Sequence, residues 1–554
     1  MSETGVSAAE PAATAGRARG GLRGNPTLTL LAAALGVMMV ALDGTIVAVA
    51  NPSIQSHLHA SLAGIQWVTN GYLLSLAVTL ITIGKFGDRF GHRKVFLTGI
   101  VGFALSSAAI GLSGDLAGSL GLVIAFRVLQ GVFGAMLQPT ALALLRNTFP
   151  AHKLNSAIGI WGAVLGASTA AGPIVGGLLV QHINWEACFY VNVPVGLIAL
   201  IVGLLVLRET PPSPARSFDI PGILFLSVAL FLLVWGLIKG SSYGWGSGKT
   251  IAFFAAAAVS AALFIIRERK AREPLLPLRL FRSVALSAGT VLVILLMFAL
   301  FGAMFFMTFY LENVHGYDPV KTGVWLLPMT AMLIVGSPIS GWVLTKLGPR
   351  IPLCAGMILA AVALFGLSRL TATSDPTSTI VWFILLGLGL SPVIVGATDV
   401  IVGNAPVELA GVASGLQSTA MQVGGTLGTA ILGSIMAARV SSLLPAQWAA
   451  THLPHLSGAQ LSEAKTVVAV GAAPVTPGLP AQLAANITQV SHDVFTSGMN
   501  AAFLTAAIVA LAGAFIALLI RRPEADGDRP AGATSTAPAH ATEVRALRVR
   551  ALRG

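Results

Sequence analysis

Of the 21 acidic residues in this chain, one lies deep inside a long apolar run: Asp43, in Leu42-Asp43-Gly44-Thr45-Ile46-Val47. An ionised carboxylate in a hydrocarbon core costs at least ~2.5 kcal/mol on insertion scales, so an acid there is a candidate for proton or ion chemistry. One basic residue has a matching placement. Arg127, in Arg127-Val128-Leu129-Gln130-Gly131, is the only Lys or Arg within an apolar run. A helix entering at Thr27 carries Asp43 roughly 24 Å up, and Arg127 lies roughly 10 Å from the opposite edge of its own helix near Leu120. In a core of ~30 Å the two groups fall at similar depth. The spacing predicts that they are neighbours, directly or through Gln130 or water, with Arg127 tuning how readily Asp43 takes up a proton. A static ion pair that only locks two helices together is the alternative. Glu312 and Asp399 are secondary acidic candidates near the ends of other runs, where interfacial solvation is the favoured account of each.

The elements that position these groups follow from composition. The chain has 554 residues, 55% hydrophobic and 10% charged. Soluble domains carry about a quarter charged residues, so the expected class is an all-α polytopic membrane protein. Apolar windows predict fourteen spans, arranged as 6 + 2 + 6. A cytoplasmic tail (1–26) precedes a six-helix half (27–207), then two inserted helices with a basic cytoplasmic linker (208–283). A second six-helix half (284–520) contains an external loop at about 439–498, and a disordered cytoplasmic tail (521–554) follows. With both termini inside, 26 of the 33 basic residues fall inside and 6 outside. That asymmetry is the positive-inside pattern, so the net charge of +12 orients the chain and calls for no nucleic acid. The basic linker is read as touching anionic headgroups. Two cysteines, expected at opposite ends of their helices, predict no disulfide framework.

Two further stretches carry a pattern. The loop expected after the second span reads Gly84-Lys85-Phe86-Gly87-Asp88-Arg89-Phe90-Gly91-His92-Arg93-Lys94, and in Gly341 to Arg350 after the tenth a Gly, a basic residue, a Gly and an Arg recur at the same offsets, with Thr345 in the place of Asp88. Gly84, Asp88, Arg89, Gly91, Arg93 and Lys94 form a candidate cytoplasmic gate, in which glycines allow a tight turn and Asp88 exchanges partners. A repeat eight helices apart predicts two related halves around a central pathway, a transporter architecture. The fifth span contains Gly166 and Gly172-Pro173-Ile174-Val175-Gly176-Gly177, where small residues permit close helix approach and Pro173 bends the helix. Gly246-Ser247-Gly248-Lys249-Thr250 looks like a phosphate loop, but Tyr243 occupies the first glycine position and no strand precedes it.

As a set, these stretches resemble the major facilitator superfamily, and within it the fourteen-helix drug:proton antiporter branch. The resemblance covers roughly residues 27 to 520. It rests on Leu42 to Val47, Gly84 to Lys94, Arg127 to Gly131 and Gly172 to Gly177, with weaker matches at Trp67 with Tyr72 and at Asn192-Val193-Pro194. It implies a major facilitator fold and efflux of small amphipathic drugs or antibiotics by alternating access, driven by the proton gradient with no cofactor, no metal and no enzymatic step. Asp43 would be the protonation site, Arg127 its partner, Asp88 the gate residue, and Gly172 with Pro173 the antiporter bend. The expected partners are the substrate, protons and membrane lipids, the expected state a monomer, and the expected location a bacterial plasma membrane. Several positions depart from the family pattern: Ala48 and Asn51 after the Asp43 motif, Glu186 before the sixth span, and Glu312 in place of a common Gln. An importer or lipid translocator on the same scaffold, and a non-transporting receptor, remain the other readings.

Overall fold

In the computed structural model the described residues are 22–115, 118–209, 219–271, 274–405, 410–451, 453–475 and 478–520. Among them the regular structure is helical throughout. The first half comprises α1 (Pro26–His57), α2 (Leu62–Phe90), α3 (His92–Asp115), α4 (Leu120–Ala135), α5 (Leu137–Thr148), α6 (Ala151–His182), the single turn α7 (Ala187–Tyr190) and α8 (Asn192–Val206). An antiparallel pair follows, α9 (Ile220–Tyr243) and α10 (Gly248–Lys270). The second half comprises α11 (Val284–Phe309), α12 (Pro319–Leu347), α13 (Arg350–Leu367), α14 (Thr379–Gly403), α15 (Ala410–Ala450), α16 (Gly458–Val468) and α17 (Ala481–Ala517).

Local chemistry sets the boundaries. Asn25 caps α1, its side chain accepting from the Thr27 and Leu28 amides. The span expected at 119–144 breaks at Met136, because Pro139 cannot donate to the Ala135 carbonyl one turn back. The Gly84–Lys94 segment is not an extended loop. α2 runs on to Phe90, and Gly91 alone (φ +93°) makes the turn into α3, its amide donating to the Gly87 carbonyl. Gly348 (φ +73°) makes the same turn between α12 and α13, with its amide on the Leu344 carbonyl. Both positions need a backbone that other residues rarely adopt. The repeat is thus one of geometry as well as of letters.

Thirteen helical segments among the described residues are long and apolar enough to cross a membrane. The expected second span is the 29-residue helix α2, whose first turns carry Gln66, Thr69 and Asn70. The stretch 439–498, expected as a loop, is largely helical: α15 continues to Ala450, α16 occupies 458–468, and α17 starts at Ala481 instead of near 499. Its alanines favour helix, and Pro480 stands just before α17, whereas Pro445 lies within α15. Leu444, Trp448, Leu453 and Val468 of the segment are buried in the main hydrophobic core. Both cysteines are free.

The halves meet along two seams. At the first, Gln66 Nε2 of α2 donates to the Thr429 carbonyl of α15 (2.6 Å), and the Thr429 hydroxyl donates to Asn70 Oδ1 (2.5 Å). At the second, α6 packs on α12, and the Val320 amide donates to Gln181 Oε1 (3.3 Å). The α9–α10 pair is not peripheral to both halves. α9 packs on α2 and on α15, its Phe231 and Trp235 rings lying 5.6 and 5.5 Å from Trp67, and Ser434 of α15 donates to the Leu237 carbonyl.

Candidate functional site

Five helices bring one buried polar cluster together. Asp43 (0% exposed) and Arg127 (1%) form an ion pair at 2.6 Å between Oδ2 and Nη1. The same Nη1 donates to Gln130 Oε1 (2.6 Å), and Gln130 Nε2 donates to Asp43 Oδ1 (2.8 Å) and to Ser107 Oγ (2.6 Å). Asn192 Nδ2, from the first turn of α8, reaches Asp43 Oδ1 and Ser107 Oγ, each at 3.2 Å. Both carboxylate oxygens are therefore occupied by donors. Arg127 is held independently of Asp43 as well: its Nε donates to the Val68 carbonyl (3.1 Å), and its guanidinium lies 4.1 Å from the centre of the Tyr72 ring. Burying a charge pair is tolerable only with this degree of satisfaction.

Asp43, Arg127 and Gln130 meet as the depth argument expects. Ser107 and Asn192 were not assigned a place in the cluster by sequence. A serine in an apolar helix has no distinguishing signal, whereas Asn192, a buried-amide residue beside Pro194, could have been found as a second polar outlier. Asn192→Ala removes one donor to a charged acceptor, worth about 1.5–3 kcal/mol. A lower melting temperature and a several-fold loss of transport are expected. Unchanged values for both would remove Asn192 from the cluster's working parts.

The opposite face of α1 carries a second link. Pro173 lacks the N–H that would bond the Thr169 carbonyl, and the Thr45 hydroxyl of α1 donates to that carbonyl at 3.0 Å. Gly172 makes the approach possible, because a Cβ there would fall on the Thr45 side chain. Thus Asp43 faces α4 while Thr45, two residues on, grips the α6 bend. Beside them lies a cavity of about 20 Å³, room for about one water. Asn51, Thr69, Tyr72 and Arg127 line one side, and Phe301, Met304 and Phe305 of α11 the other. Asn51 Oδ1 and Thr69 Oγ1 are buried and make no hydrogen bond among the described residues.

Residues 33–429 match the model of the Major Facilitator Superfamily. The chain belongs to that superfamily. It is 57% identical over 522 residues (94% of this chain, 96% of the relative) to the tetracenomycin C resistance and export protein of Streptomyces glaucescens. It is 32% identical over 490 residues (88% and 95%) to the multidrug efflux pump LfrA of Mycolicibacterium smegmatis. The multidrug resistance protein Stp of Mycobacterium tuberculosis is 37% identical over 423 residues (75% and 77%). A bacterial homologue of the human lysosomal transporter Spinster, solved in an inward-facing, unoccupied conformation, shares the fold with a TM-score of 0.60 at 17% identity, covering 90% of this chain and 99% of that one. The chain is a multi-pass bacterial membrane transporter of the major facilitator fold.

On this major facilitator scaffold, the candidate gate residues separate into those with visible partners and those without a described placement. The Arg93 amide donates to Glu209 Oε1 and its Nη2 to the Leu204 carbonyl, both at 3.1 Å. The carboxylate at the start of α3 is thus Glu209, which the sequence reading passed over, and it sits where a helix dipole favours negative charge. Arg89 and Lys94 are exposed, the Arg89 guanidinium lying 5.5 Å from the Phe90 ring centre. The side chains at Gly84 and Asp88 lie outside the described residues. In the bend, Gly176 faces the Ile46 backbone and Gly177 the Pro319 carbonyl of α12, while nothing crowds Gly166. Gly323 of α12 faces the Pro173 carbonyl in turn, so the bend belongs to the seam between the halves.

The two secondary acids are not part of the central cluster. Asp399 is exposed near the end of α14. Glu312 lies in a π-helical turn (Tyr310–Val314) that follows α11, with Oε1 buried and without a hydrogen-bond partner among the described residues. Next to it, burial pushes the His315 imidazole below its ordinary pKa, His492 adding to the effect and Asp375 opposing it.

Proposed function

We propose that this transporter is a proton-coupled exporter of amphipathic antibiotics, with Asp43 as the proton carrier. The observation that carries the reading is the buried Asp43–Arg127–Gln130 cluster beside a cavity at the meeting of the halves. A proton on Asp43 removes the charge opposite Arg127, whose bonds to Gln130 and Val68 keep the guanidinium in place. Asp43 is then free to separate from Arg127, and the resulting shift of α1 reaches α6 through Thr45 and the Thr169 carbonyl. α6 abuts α12, so the shift bears on the contact that closes one seam. Substrate enters from the cytoplasm while Asp43 is ionised, in a state in which this one-water cavity has widened, and protonation from outside displaces it.

The aromatic and Met wall opposite unbonded Asn51 and Thr69 suits a compound with an apolar face and a polar edge. The relative sharing 57% identity is named for tetracenomycin C, and export of that compound or one like it, conferring resistance, is the substrate reading. The protein works as a monomer in the plasma membrane with both termini inside and no cofactor. Everted vesicles test this. With an acidic interior they are expected to accumulate tetracenomycin C, and a protonophore is expected to abolish accumulation. Accumulation only in right-side-out vesicles, or accumulation indifferent to the protonophore, would overturn the reading.

A further inference from the structure

Away from the central cavity, one end of α13, α15 and α17 encloses a groove of about 580 Å³. Arg369, just beyond α13, and Arg439 of α15 line it, with Thr496 and Asn500 of α17 between them; Asp493 is its one carboxylate. Asn500 Nδ2 donates to the Leu370 carbonyl (2.8 Å), while its Oδ1 is buried and has no hydrogen-bond partner among the described residues. The face expected outside carries six basic residues, Lys239, Lys249, Lys321, Arg369, Arg439 and Lys465. Its two arginines, distant in sequence, line the same groove. Arginine offers a planar fork to an oxyanion where lysine offers a point charge, and Asp493 leaves the pair a net positive site.

The rim changes character toward the bundle centre. Phe365 of α13 and Leu504 of α17 line the groove and are exposed. From them an exposed apolar stripe continues along two adjacent helices, through Val362 and Ile358 on α13 and Ile508, Leu511 and Phe515 on α17. Leu504 to Phe515 covers roughly 16 Å of helix, about half of a ~30 Å hydrocarbon core. A cationic pocket above an apolar stripe one leaflet deep matches an anion that carries chains, and a free anion would use only the upper part.

We propose that this groove binds the phosphodiester headgroup of an anionic phospholipid between Arg369 and Arg439, its acyl chains lying along the α13–α17 stripe. The assignment does not rest on the transport reading. Native mass spectrometry of the full chain, delipidated in detergent, tests it with phosphatidylglycerol, phosphatidylcholine and inorganic phosphate as probes. Phosphatidylglycerol is expected to be retained about tenfold better than phosphatidylcholine, and inorganic phosphate in excess is expected not to displace it. Arg369→Ala with Arg439→Ala is expected to abolish the preference, read as a ratio within one folded preparation. Should the alanine pair not fold, Arg369→Lys with Arg439→Lys keeps the charge and loses the fork, and is expected to weaken the preference about threefold. An unchanged preference in the variant that folds overturns the proposal. Displacement by inorganic phosphate also overturns it, leaving a simple anion site.

Discussion

Replacing Asp43 by asparagine is expected to abolish gradient-driven transport and to leave the protein in the membrane. Asparagine keeps the shape of the side chain but has only one acceptor atom. Facing Arg127, its carbonyl oxygen turns the amide toward Gln130 Nε2 and Asn192 Nδ2, which now donate to Asp43 Oδ1 at 2.8 and 3.2 Å. Donor then meets donor, and an unsatisfied buried group costs about 1–3 kcal/mol. The guanidinium retains Gln130 Oε1 and the Val68 carbonyl, so the uncompensated-charge penalty of a broken buried pair is softened. Transport is affected far more than folding. Coupling free energies of 1–3 kcal/mol correspond to 5–150-fold, and a residue that is itself the coupling site should lose at least the top of that range, roughly 100-fold or more, which leaves no measurable gradient-driven rate. Accumulation in everted vesicles gives the coupled rate. Exchange of labelled against unlabelled substrate without a gradient is expected to persist, since it needs no proton on residue 43. Gradient-driven rates equal to wild type would reduce the Asp43–Arg127 pair to a structural fastening.

Gly172→Ala is expected to have the second largest effect, by a different route. The added methyl would occupy the position of the Thr45 side chain and lie 3.1 Å from the Ile46 amide, so α1 and α6 must separate. Overpacking of this kind costs about 1–3 kcal/mol. It also pulls the Thr45 hydroxyl from the Thr169 carbonyl, which has no helical donor because of Pro173. The expected result is a melting temperature several degrees lower and transport reduced about tenfold or more. The remedy is specific. Thr45→Ala in the same chain removes the hydroxyl that the methyl meets first but leaves the residue 45 Cβ 2.8 Å away, so the double variant is expected to regain part of the lost stability but not the transport, because the carbonyl stays unbonded. A double variant no more stable than Gly172→Ala alone would show that the Thr45 side chain is not what the methyl meets.

Much of this protein is legible in its residues because the bilayer is an unforgiving solvent. A charge in hydrocarbon is so costly that Asp43 and Arg127 stand out individually, and helix rise alone puts them at one depth. The same cost makes long apolar runs read as spans, and the repeat of Gly91 at Gly348 foretells two turns of one geometry. Where the solvent constraint relaxes, the reading weakens. In 439–498 prolines and alanines gave no usable period, and burial of Trp448 and Val468 was needed to settle helix over loop.

Which side chains surround the acid was for the tertiary structure to decide. Ser107, Asn192 and the Val68 carbonyl arrive from three helices whose rotation about their own axes is fixed by packing, and packing leaves no mark in hydropathy. Glu209 reaches the start of α3 from beyond α8 for the same reason. The link from Thr45 to the Pro173 bend needed both motifs in place, since each alone reads as ordinary membrane packing. Sequence determined the depth of each group, because depth is set by distance along one helix; partnership depends on the angle between helices, and only the fold supplies it.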